Sequence, residues 1–310
     1  MLERAERAQP GVLTDPTCFA DFLTFVLADD AALATAKIMT QLQHAVAAAQ
    51  ARAASADLTV TLGFSATAWQ RLFADRPMPA ELRPFTERRD GPRHFPATPG
   101  DIFAMVKSAR MDFNFLAAKT LARALEGAAT LIEDIQGFSY LDDHDMIDFV
   151  DGTENPSGAL RAESILVGEE DPDYAGGSYL TVQRYVHRRD KWEAQETGYQ
   201  ERVIGRTKAG DVELDDDVKP AWAHVAKSKV EVDGKEQRMF RQNRAFGTAL
   251  EQGTMFVGFV RSADTMETSL QQMILADEDG NYDRLLDFVE ARSGANYFVP
   301  PQPFLDSFSG

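Results

Sequence analysis

A short acidic turn in mid-chain has the residue types of a site that moves protons. Residues 148–158 have the sequence DFVDGTENPSG, which places Asp151 directly behind an apolar pair. Gly152 and Asn155 adopt unusual backbone angles readily, and Pro156 fixes the exit of the turn. A carboxylate on such a loop can face a pocket and serve there as an acid or a base. An Asx-turn, in which Asp151 bonds only its own backbone, explains the same residues equally well.

The five histidines differ in their surroundings, and one of them suits a ligand to iron. His224 lies in the segment KPAWAHVAKS, among alanine, tryptophan and valine. A neutral imidazole in apolar company can bind iron, although an ordinary packed histidine fits the same pattern. His187 ends a strand pattern beside charged residues, which favours exposure over ligation. No HExxH motif or second clustered histidine supports a metal site made of protein ligands alone.

The segment FRQNRAFG places polar side chains at the spacing of one strand face. Residues two apart in a strand point the same way, so Arg241 and Asn243 would share one face while Phe240 takes the other. A solvated edge strand accounts for these arginines as well. The sequence contains no GxGxxG, P-loop or GxSxG motif, so nucleotide binding and serine hydrolase chemistry have no support.

The composition predicts a packed globular protein with an acidic surface. The chain has 310 residues, of which 44% are hydrophobic and 26% are charged, and its formal net charge is −17. Such a charge repels phosphate backbones and anionic membranes, so neither nucleic acid nor membrane is expected as a partner. Cys18 is the only cysteine, which excludes an internal disulfide and a cysteine-based zinc site. Without a secretory signal or an apolar run of about 18–20 residues, the expected location is cytoplasmic.

Apolar periodicity predicts strands and helices in both halves of the chain. Strand patterns cover residues 58–65, 101–108, 130–141 and 178–187, and helix patterns cover residues 31–54, 67–73 and 113–128. The segments KSKVEV and RMFRQN are predicted to form a hairpin that turns at Asp233 and Gly234. LTVTLGFSATAWQRLF and GTMFVGFVRSADTM both run from a Gly-Phe strand through Ser-Ala into a helix, which suggests two related α+β halves. This mixture favours antiparallel sheets with helices on one face, and the boundary falls near residues 142–148.

Taken in this order, the motifs resemble those of the dye-decolorizing peroxidase family. The family motif GxxDG, continued as TENP in bacterial members, matches residues 151–156, with Asp148 in the place of the leading glycine. The AHV segment around His224 is similar to the family's histidine segment, and residues 241–247 are similar to its arginine segment. The similarity is strongest in the second half and looks closest to the compact bacterial branch that lacks an export signal.

The resemblance implies an α+β fold made of two ferredoxin-like halves, with antiparallel β-sheets packed together and helices outside. The halves would be residues 1–145 and residues 146–310, and the second half would hold one haem b per chain. Family members usually assemble, so a homo-oligomer, as a dimer or larger, is expected. Some relatives are packed into nanocompartments by a C-terminal tail, for which the final segment PQPFLDSFSG leaves little room.

The resemblance also implies roles for individual residues. His224 would be the proximal ligand of the haem iron, and Asp287 would accept a hydrogen bond from its other ring nitrogen unless Asp287 is simply an exposed carboxylate. On the opposite haem face, Asp151 would move the peroxide proton and Arg241 would stabilise the developing negative charge. Asn243 would line that distal pocket. Three further residues would contact the cofactor: Glu154, Asn155 and Arg206. Asn155 and Arg206 would contact the haem propionates, with a surface salt bridge as the alternative for Arg206.

The implied reaction uses hydrogen peroxide to oxidise dyes, phenols or porphyrin-like compounds in one-electron steps through a ferryl haem. A protein that binds haem or handles its iron, with incidental peroxidase activity, is the competing hypothesis, and an intact Asp151–Arg241 pair favours the enzyme. An acidic binding protein without a cofactor is the third hypothesis.

Bulky reductants cannot reach a buried iron, so an aromatic side chain is expected to relay electrons. The candidates are Tyr179, Tyr185, Trp192 and Trp222, and each could instead be a packing residue. Glu154, Glu213 and Glu236 form a candidate cation site, against the alternative of scattered surface charge.

Overall fold

The protein, analysed as a computed structural model, alternates strands and helices along the residues that the structure describes, 2–29 and 35–308. The strands are β1 (Phe19–Leu27), β2 (Thr59–Phe64), β3 (Arg88–Asp90), β4 (Arg93–Phe95), β5 (Ile102–Ser108), β6 (Ala129–Phe138), β7 (Ser178–His187), β8 (Val230–Val232), β9 (Lys235–Gln237), β10 (Phe240–Arg241), β11 (Arg244–Gly247), β12 (Gln252–Val260), β13 (Val289–Ala291) and β14 (Ala295–Val299). The helices are α1 (Leu2–Arg7), α2 (Pro10–Leu13), α3 (Thr35–Arg52), α4 (Ala66–Leu72), α5 (Met111–Ala124), α6 (Gly158–Ile165), α7 (Arg189–Glu193), α8 (Thr197–Ile204), α9 (His224–Ser228), α10 (Ala263–Ile274) and α11 (Gln302–Asp306). Short 3-10 turns cover Pro172–Tyr174 and Arg284–Asp287.

Within the described residues, ten strands form one sheet in the order β10-β12-β11-β6-β1-β5-β2-β14-β7-β13. A further pairing between β12 and β7 closes eight of these strands into a ring, and the neighbouring strands are antiparallel. The two halves of the chain meet where β14 pairs with β2 and where β11 pairs with β6. The predicted α+β class with antiparallel strands is confirmed. In place of two separate packed sheets, however, backbone hydrogen bonds join the halves into one sheet.

Each half contributes four strands to the ring in the same spatial order. Numbered along each half, this order is 4-1-3-2, given by β6-β1-β5-β2 in the first half and by β14-β7-β12-β11 in the second. The two similar segments noted in the sequence do not correspond in this order, because β2 is the second strand of its half and β12 is the third. Their similarity has a local cause, since Ser65 and Ser262 each cap the helix that follows.

Both faces of β1, β2 and β5 are covered, which explains why these strands are largely apolar on both faces, whereas alternate residues of β6 are exposed. In β1, Ala20 and Phe22 pack among the buried side chains inside the ring, whereas Leu23 and Phe25 pack in the outer cluster with the helices. Helix α5 packs against β1 and β5 and also against α3. No helix among the described residues is long and apolar enough to cross a membrane.

The helix and strand boundaries differ from the predictions mainly where a strand pairs with another strand far away in the sequence. The predicted helix at residues 31–54 is observed as Thr35–Arg52, and residues 31–34 lie outside the described part. The hairpin turns at Asp233 and Gly234 as predicted, but its second arm is Lys235–Gln237. Phe240–Arg241 pairs with β12 instead, because Phe240 lies opposite Phe259 there and extends the buried ladder.

A buried carboxyl group in β1 makes the stability of the fold depend on pH. Asp21 is 1% exposed, and the side chain of Asn114 only partly offsets the burial of its carboxyl group. Burial, together with the charge of Asp134, raises the pKa of Asp21 to about 7. Because the folded pKa lies above the unfolded value, the proton bound to Asp21 stabilises the fold at low pH. This stabilisation is lost as the pH rises through about 7.

We therefore expect Asp21→Asn to remove a pH-dependent loss of about 2–4 kcal/mol in the free energy of unfolding between pH 4 and pH 8. Urea unfolding of the wild type and the variant at both pH values measures this difference. Asp75→Asn serves as the control, because the Asp75 side chain is 84% exposed. Equal pH slopes for the wild type and Asp21→Asn would contradict the prediction.

Candidate active site

The loop after β6 bends so that Asp151 faces a cavity. Asp148 has a φ of 65° and Gly152 a φ of 90°, which are left-handed conformations. Asp148 stands where the family motif has glycine, and aspartate is among the few other residues that tolerate this conformation. The bend is fixed by the backbone N–H of Asp151, which donates to the carbonyl oxygen of Asp143 at 2.9 Å. Asp148, which stands in the place of the family's glycine, therefore preserves the turn.

The Asx-turn in this loop is formed by Asp145 and not by Asp151. Oδ1 of Asp145 accepts hydrogen bonds from the backbone N–H groups of Ile147 at 3.0 Å and Phe149 at 3.1 Å. Burial raises the pKa of Asp145 to about 7, and the nearby charge of Asp151 acts in the same direction. Because Asp145 makes the turn, the carboxylate of Asp151 is left for contacts across the cavity.

Asn243 holds the carboxylate of Asp151. Nδ2 of Asn243 lies 3.0 Å from Oδ2 of Asp151 and 3.3 Å from Oδ1. Oδ1 of Asn243 accepts the backbone N–H of Val257 at 3.0 Å. Since the acceptor of the amide is bonded to the backbone, its donor faces Asp151. Arg241 and Asn243 both line the cavity, although Asn243 lies between β10 and β11 and not within a strand.

The main chain of Arg241 is fixed by Asn155. Nδ2 of Asn155 donates to the carbonyl oxygen of Arg241 at 2.8 Å, and Oδ1 accepts the N–H of Arg241 at 2.9 Å. Asn155 is not part of the cavity lining, so its contacts position Arg241 in place of the predicted contact with a cofactor. Nε of Arg241 is buried and has no hydrogen-bond partner among the described residues. Leaving a buried donor unpaired is costly, so this guanidinium suits a polar or anionic ligand in the cavity.

On another wall, His224 is oriented by a buried carboxylate. Nδ1 of His224 lies 2.6 Å from Oδ2 of Asp283, a residue with 0% exposure. Oδ1 of Asp283 accepts the N–H of Leu285 at 2.9 Å, which fixes the carboxylate. A carboxylate on Nδ1 retains the proton there and leaves the lone pair on Nε2. His224 also lines the cavity, so Nε2 is the ring nitrogen suited to bind a metal.

The prediction that Asp287 accepts the hydrogen bond from His224 is wrong. Asp287 accepts from the hydroxyl of Tyr282 at 2.9 Å and lies 3.5 Å from a guanidinium nitrogen of Arg284. Residues Arg284–Asp287 form a single 3-10 turn, and Asp283 is its N-cap. The side chain of Asp283 therefore faces inward at the start of the turn, and Asp287 comes out on the far side.

One cavity joins these two groups of residues. It is lined by six predicted site residues: Asp151, Glu154, Arg206, His224, Arg241 and Asn243. Apolar side chains such as Phe256, Leu270 and Leu286 form other parts of its wall. The cavity has a volume of about 260 Å³ and opens to solvent. An imidazole, a carboxylate and a guanidinium thus converge on a partly apolar space.

The rim of the cavity carries ion pairs. Nε of Arg206 lies 2.6 Å from Oδ1 of Asp211, and NH1 lies 2.8 Å from Oε1 of Glu154. Arg206 therefore forms salt bridges and also lines the cavity with Glu154, so its predicted contact with a haem propionate stays a prediction. Glu213 and Glu236 also line it, but each pairs with a cation. In the described part of the chain, no group of three histidine, cysteine or acidic side chains could hold a metal, so the candidate cation site is not found.

The sequence analysis missed a row of polar side chains on β7. Gln183, Tyr185 and His187 all line the cavity, and their two-residue spacing was the signal that could have revealed them. His187 was predicted to be exposed, but it is buried, and burial lowers its pKa to about 4. Nδ1 of His187 has no hydrogen-bond partner among the described residues, so His187 lacks the carboxylate that orients His224.

The predicted relay aromatics differ in their access to solvent. Tyr179 and Trp192 are buried, and Tyr185 lines the cavity. Trp222 is half-buried, two residues before His224, and its ring centroid lies 6.0 Å from that of Tyr199. Of the four candidates, Trp222 combines partial exposure with closeness to His224.

Comparison with known proteins gives the site its chemical context. The family profile described as Dyp-type peroxidase, N-terminal, matches residues 9–139, and that described as Dyp-type peroxidase, C-terminal, matches residues 142–304. This chain belongs to the Dyp-type peroxidase family. It is therefore a haem-dependent peroxidase, an enzyme that reduces hydrogen peroxide with electrons from a reductant.

Similar proteins cover almost the whole chain. A dye-decolorizing peroxidase of Rhodococcus erythropolis is 40% identical over 95% of this chain and 87% of its own length. One of Mycobacterium tuberculosis is 40% identical over 95% of this chain and 89% of its own length. Among solved structures, the encapsulated DyP-type peroxidase of Mycobacterium smegmatis matches with a TM-score of 0.93 and 40% identity, covering 97% of this chain and 98% of the other. DyPB of Rhodococcus jostii matches with a TM-score of 0.92 and 39% identity, covering 98% and 99%.

Proposed function

We propose that this peroxidase binds one haem b in the cavity, with His224 as the proximal ligand of the iron and Asp151 and Arg241 on the opposite face. The observation that carries the proposal is the hydrogen bond between His224 and buried Asp283, 2.6 Å long, on a wall of the cavity that Asp151 and Arg241 also line. Ligating histidines commonly donate their second ring nitrogen to a carboxylate, which makes the imidazole a better electron donor.

The residues of the cavity suit haem. An axial imidazole is an established protein ligand of haem iron, and the apolar wall suits the macrocycle. The unpaired Nε of Arg241 suits a polar ligand held next to the iron. Arg206 is a candidate for a propionate, because it is a rim cation that lines the cavity. Haem-bound structures of Rhodococcus jostii DypB variants, which match this chain with 38% identity, support the same conclusion.

The distal residues divide the chemistry between proton transfer and charge stabilisation. Haem, when bound, supplies the iron at which peroxide is reduced. Asp151 can accept a proton from one peroxide oxygen and return it to the other, which leaves as water. Arg241 stabilises the negative charge that develops as the O–O bond breaks, and its guanidinium stays charged at any working pH. Asn243 keeps the carboxylate of Asp151 in position.

The proposed reductants are dyes, phenols or porphyrin-like compounds, oxidised one electron at a time. A protein that only carries haem needs no acid–base group above the iron, so the Asp151–Asn243 contact and the unpaired Arg241 favour the enzyme over haem handling. We also propose that the two halves, with their shared strand order, are ferredoxin-like units. Cytoplasmic location, assembly into a homo-oligomer and the absence of a nucleic-acid partner stay predictions, the last supported by the net charge of −17.

The test is to titrate the haem-free wild type and Asp283→Asn with hemin. The wild type is expected to take up one equivalent that gives the pyridine haemochrome spectrum of haem b. Asp283→Asn is expected to bind hemin about 10–100-fold more weakly, because loss of a carboxylate behind a ligating histidine costs affinity of that order. Its reduction potential is also expected to rise, since a less electron-donating imidazole favours the reduced iron.

Asp287→Asn is the matched control, because it replaces the carboxylate that sequence reasoning assigned to His224. We expect it to keep the hemin affinity and the reduction potential of the wild type. An effect of Asp287→Asn as large as that of Asp283→Asn would contradict the proposed proximal pair. Failure of the wild type to take up hemin would overturn the proposed function.

A further inference from the structure

A half-buried tyrosine next to the proximal pair has the contacts of a residue that can lose an electron and a proton together. The hydroxyl of Tyr282 donates to Oδ1 of Asp287 at 2.9 Å and accepts from Arg284 at 2.7 Å. Phenols oxidise far more readily when a base takes the hydroxyl proton in the same event. Asp287 is such a base, already bonded to the hydroxyl, so Tyr282 is prepared for oxidation to a neutral radical.

A short path leads from Tyr282 to the proposed iron ligand. Tyr282 is joined by a peptide bond to Asp283, whose Oδ2 lies 2.6 Å from Nδ1 of His224. Every other link in the path is covalent, and covalent bonds and short hydrogen bonds carry electrons better than gaps through space. The other candidate on this side, Trp222, is half-buried against Tyr199, and its backbone carbonyl accepts from Arg284. No hydrogen bond to the Trp222 indole nitrogen is found among the described residues, so no base is placed to take its proton.

Beside Asp287 lies an open groove that adjoins the haem cavity across Leu286, which lines both. Its buried apolar floor is formed by Leu286 and Phe288. Three cations line it, Arg93, Arg188 and Lys191, against two carboxylates, Asp190 and Asp287. Arg93 and Arg188 are paired with Asp90 and Glu290, so Lys191 is the groove cation without an ion pair among the described residues. Arg93 also stacks on Tyr282, with its guanidinium carbon 3.6 Å from the ring centroid, so one residue touches both the groove and the tyrosine.

We infer that this groove binds anionic aromatic reductants and that Tyr282 passes their electrons toward the haem through Asp283 and His224. The inference rests on the proposed function, because it takes His224 as the iron ligand. An apolar floor with cations at its edge suits an aromatic ring that carries a sulfonate or a carboxylate. Lys191 is exposed and has no ion pair among the described residues, which leaves its ammonium group available to such a ligand.

The electron and proton balance closes within these residues. The peroxidase reaction supplies the oxidising equivalent on the haem side. Tyr282 gives one electron along the Asp283–His224 path and its hydroxyl proton to Oδ1 of Asp287, and becomes a neutral tyrosyl radical. The reductant in the groove then gives one electron to this radical, and the proton returns from Asp287 to the phenol oxygen. The products are Tyr282 in its original state and a one-electron-oxidised aromatic.

The first test looks for the radical itself. Haem-loaded enzyme is mixed with one equivalent of hydrogen peroxide without reductant, freeze-quenched and examined by electron paramagnetic resonance. The wild type is expected to show a tyrosyl radical, Tyr282→Phe to lose that signal, and Tyr199→Phe to keep it. An unchanged tyrosyl signal in Tyr282→Phe, or its loss in Tyr199→Phe, would overturn the relay.

The second test measures binding in the groove by calorimetry. The probe is 6-hydroxynaphthalene-2-sulfonate, and 2-naphthol is its neutral counterpart. Lys191→Glu is expected to weaken binding of the sulfonate about five- to tenfold, as reversal of a rim charge does, and to leave 2-naphthol unaffected. Added salt should weaken binding of the sulfonate in the wild type. Lys119→Glu, on the outer face of α5, is the charge-matched control, and equal affinity of the sulfonate for the two variants would refute the groove assignment.

The two proposals fail in different ways. Suppose that the haem-loaded enzyme reacts with peroxide normally, while Tyr282→Phe and Lys191→Glu both behave like the wild type in these tests. The groove and the relay are then wrong, and the proposed function stands. If His224→Ala leaves the coordination of haem unchanged, the proposed function itself fails.

Discussion

Replacing Arg241 by leucine is expected to lower the second-order rate constant for the reaction with hydrogen peroxide by about 10²–10³-fold, the usual loss when one donor to a developing negative charge is removed. The guanidinium of Arg241 lines the cavity, and its buried Nε has no hydrogen-bond partner among the described residues, so it is available to a ligand there. The rate constant of Arg241→Lys should fall between those of the wild type and Arg241→Leu, because lysine keeps the charge but loses the planar arrangement of donors. Stopped-flow measurement on enzyme with matched haem content gives the rate constants.

Two further variants show whether this loss is specific. Arg261→Leu removes an arginine that is paired with Glu170 away from the cavity, and it is expected to react at the wild-type rate. Combining Arg241→Leu with Asp151→Asn should cost less than the product of the two single effects, because both groups act on the same bond cleavage. A wild-type rate constant in Arg241→Leu with full haem content would remove Arg241 from the mechanism.

Replacing His224 by alanine is expected to weaken hemin binding more than 100-fold, since even loss of the carboxylate behind a ligating histidine costs about 10–100-fold. The absorption spectrum of any haem that stays bound should lose the features of axial histidine ligation. Added imidazole is expected to restore those features, because the cavity left by the ring can hold a free imidazole next to Asp283. Hemin titration with and without imidazole measures both effects.

His187→Ala is the control that decides between the two histidines of the cavity. His187 also lines the cavity, and its low pKa of about 4 keeps it neutral at working pH, as a ligand must be. It lacks a carboxylate on Nδ1, however, so we expect His187→Ala to retain the ligation spectrum of the wild type. Loss of ligation in His187→Ala but not in His224→Ala would reverse the assignment of the iron ligand.

The residues proposed for the distal side were predictable because their arrangement is local. Asp151 follows from a turn in which Gly152 takes a left-handed conformation, and the structure shows the same conformation at Asp148. Arg241 and Asn243 were placed on one face by the two-residue period of an extended strand, and both line the cavity. Such features depend on backbone geometry over a few residues, which a sequence motif records directly.

The proximal partner was not predictable in the same way. The sequence suggested Asp287, but the segment forms a single 3-10 turn in which Asp283 contacts His224 and Asp287 contacts Tyr282. Similarly, Phe240 at the end of the predicted hairpin pairs with β12, because Phe259 of that remote strand lies opposite Phe240. His187 was expected to be exposed because of its charged neighbours, but the strand pleat turns it into the cavity.

The sequence by itself determined the antiparallel α+β class, the turn that carries Asp151 and the shared face of Arg241 and Asn243. Each of these follows from period, turn chemistry or residue type within a short segment. Only the tertiary structure decided that the two halves share one closed sheet, that Asp283 is the partner of His224, and that both walls of the site face one cavity. These are contacts between segments far apart in the chain, and they depend on how whole elements pack, which no local pattern encodes.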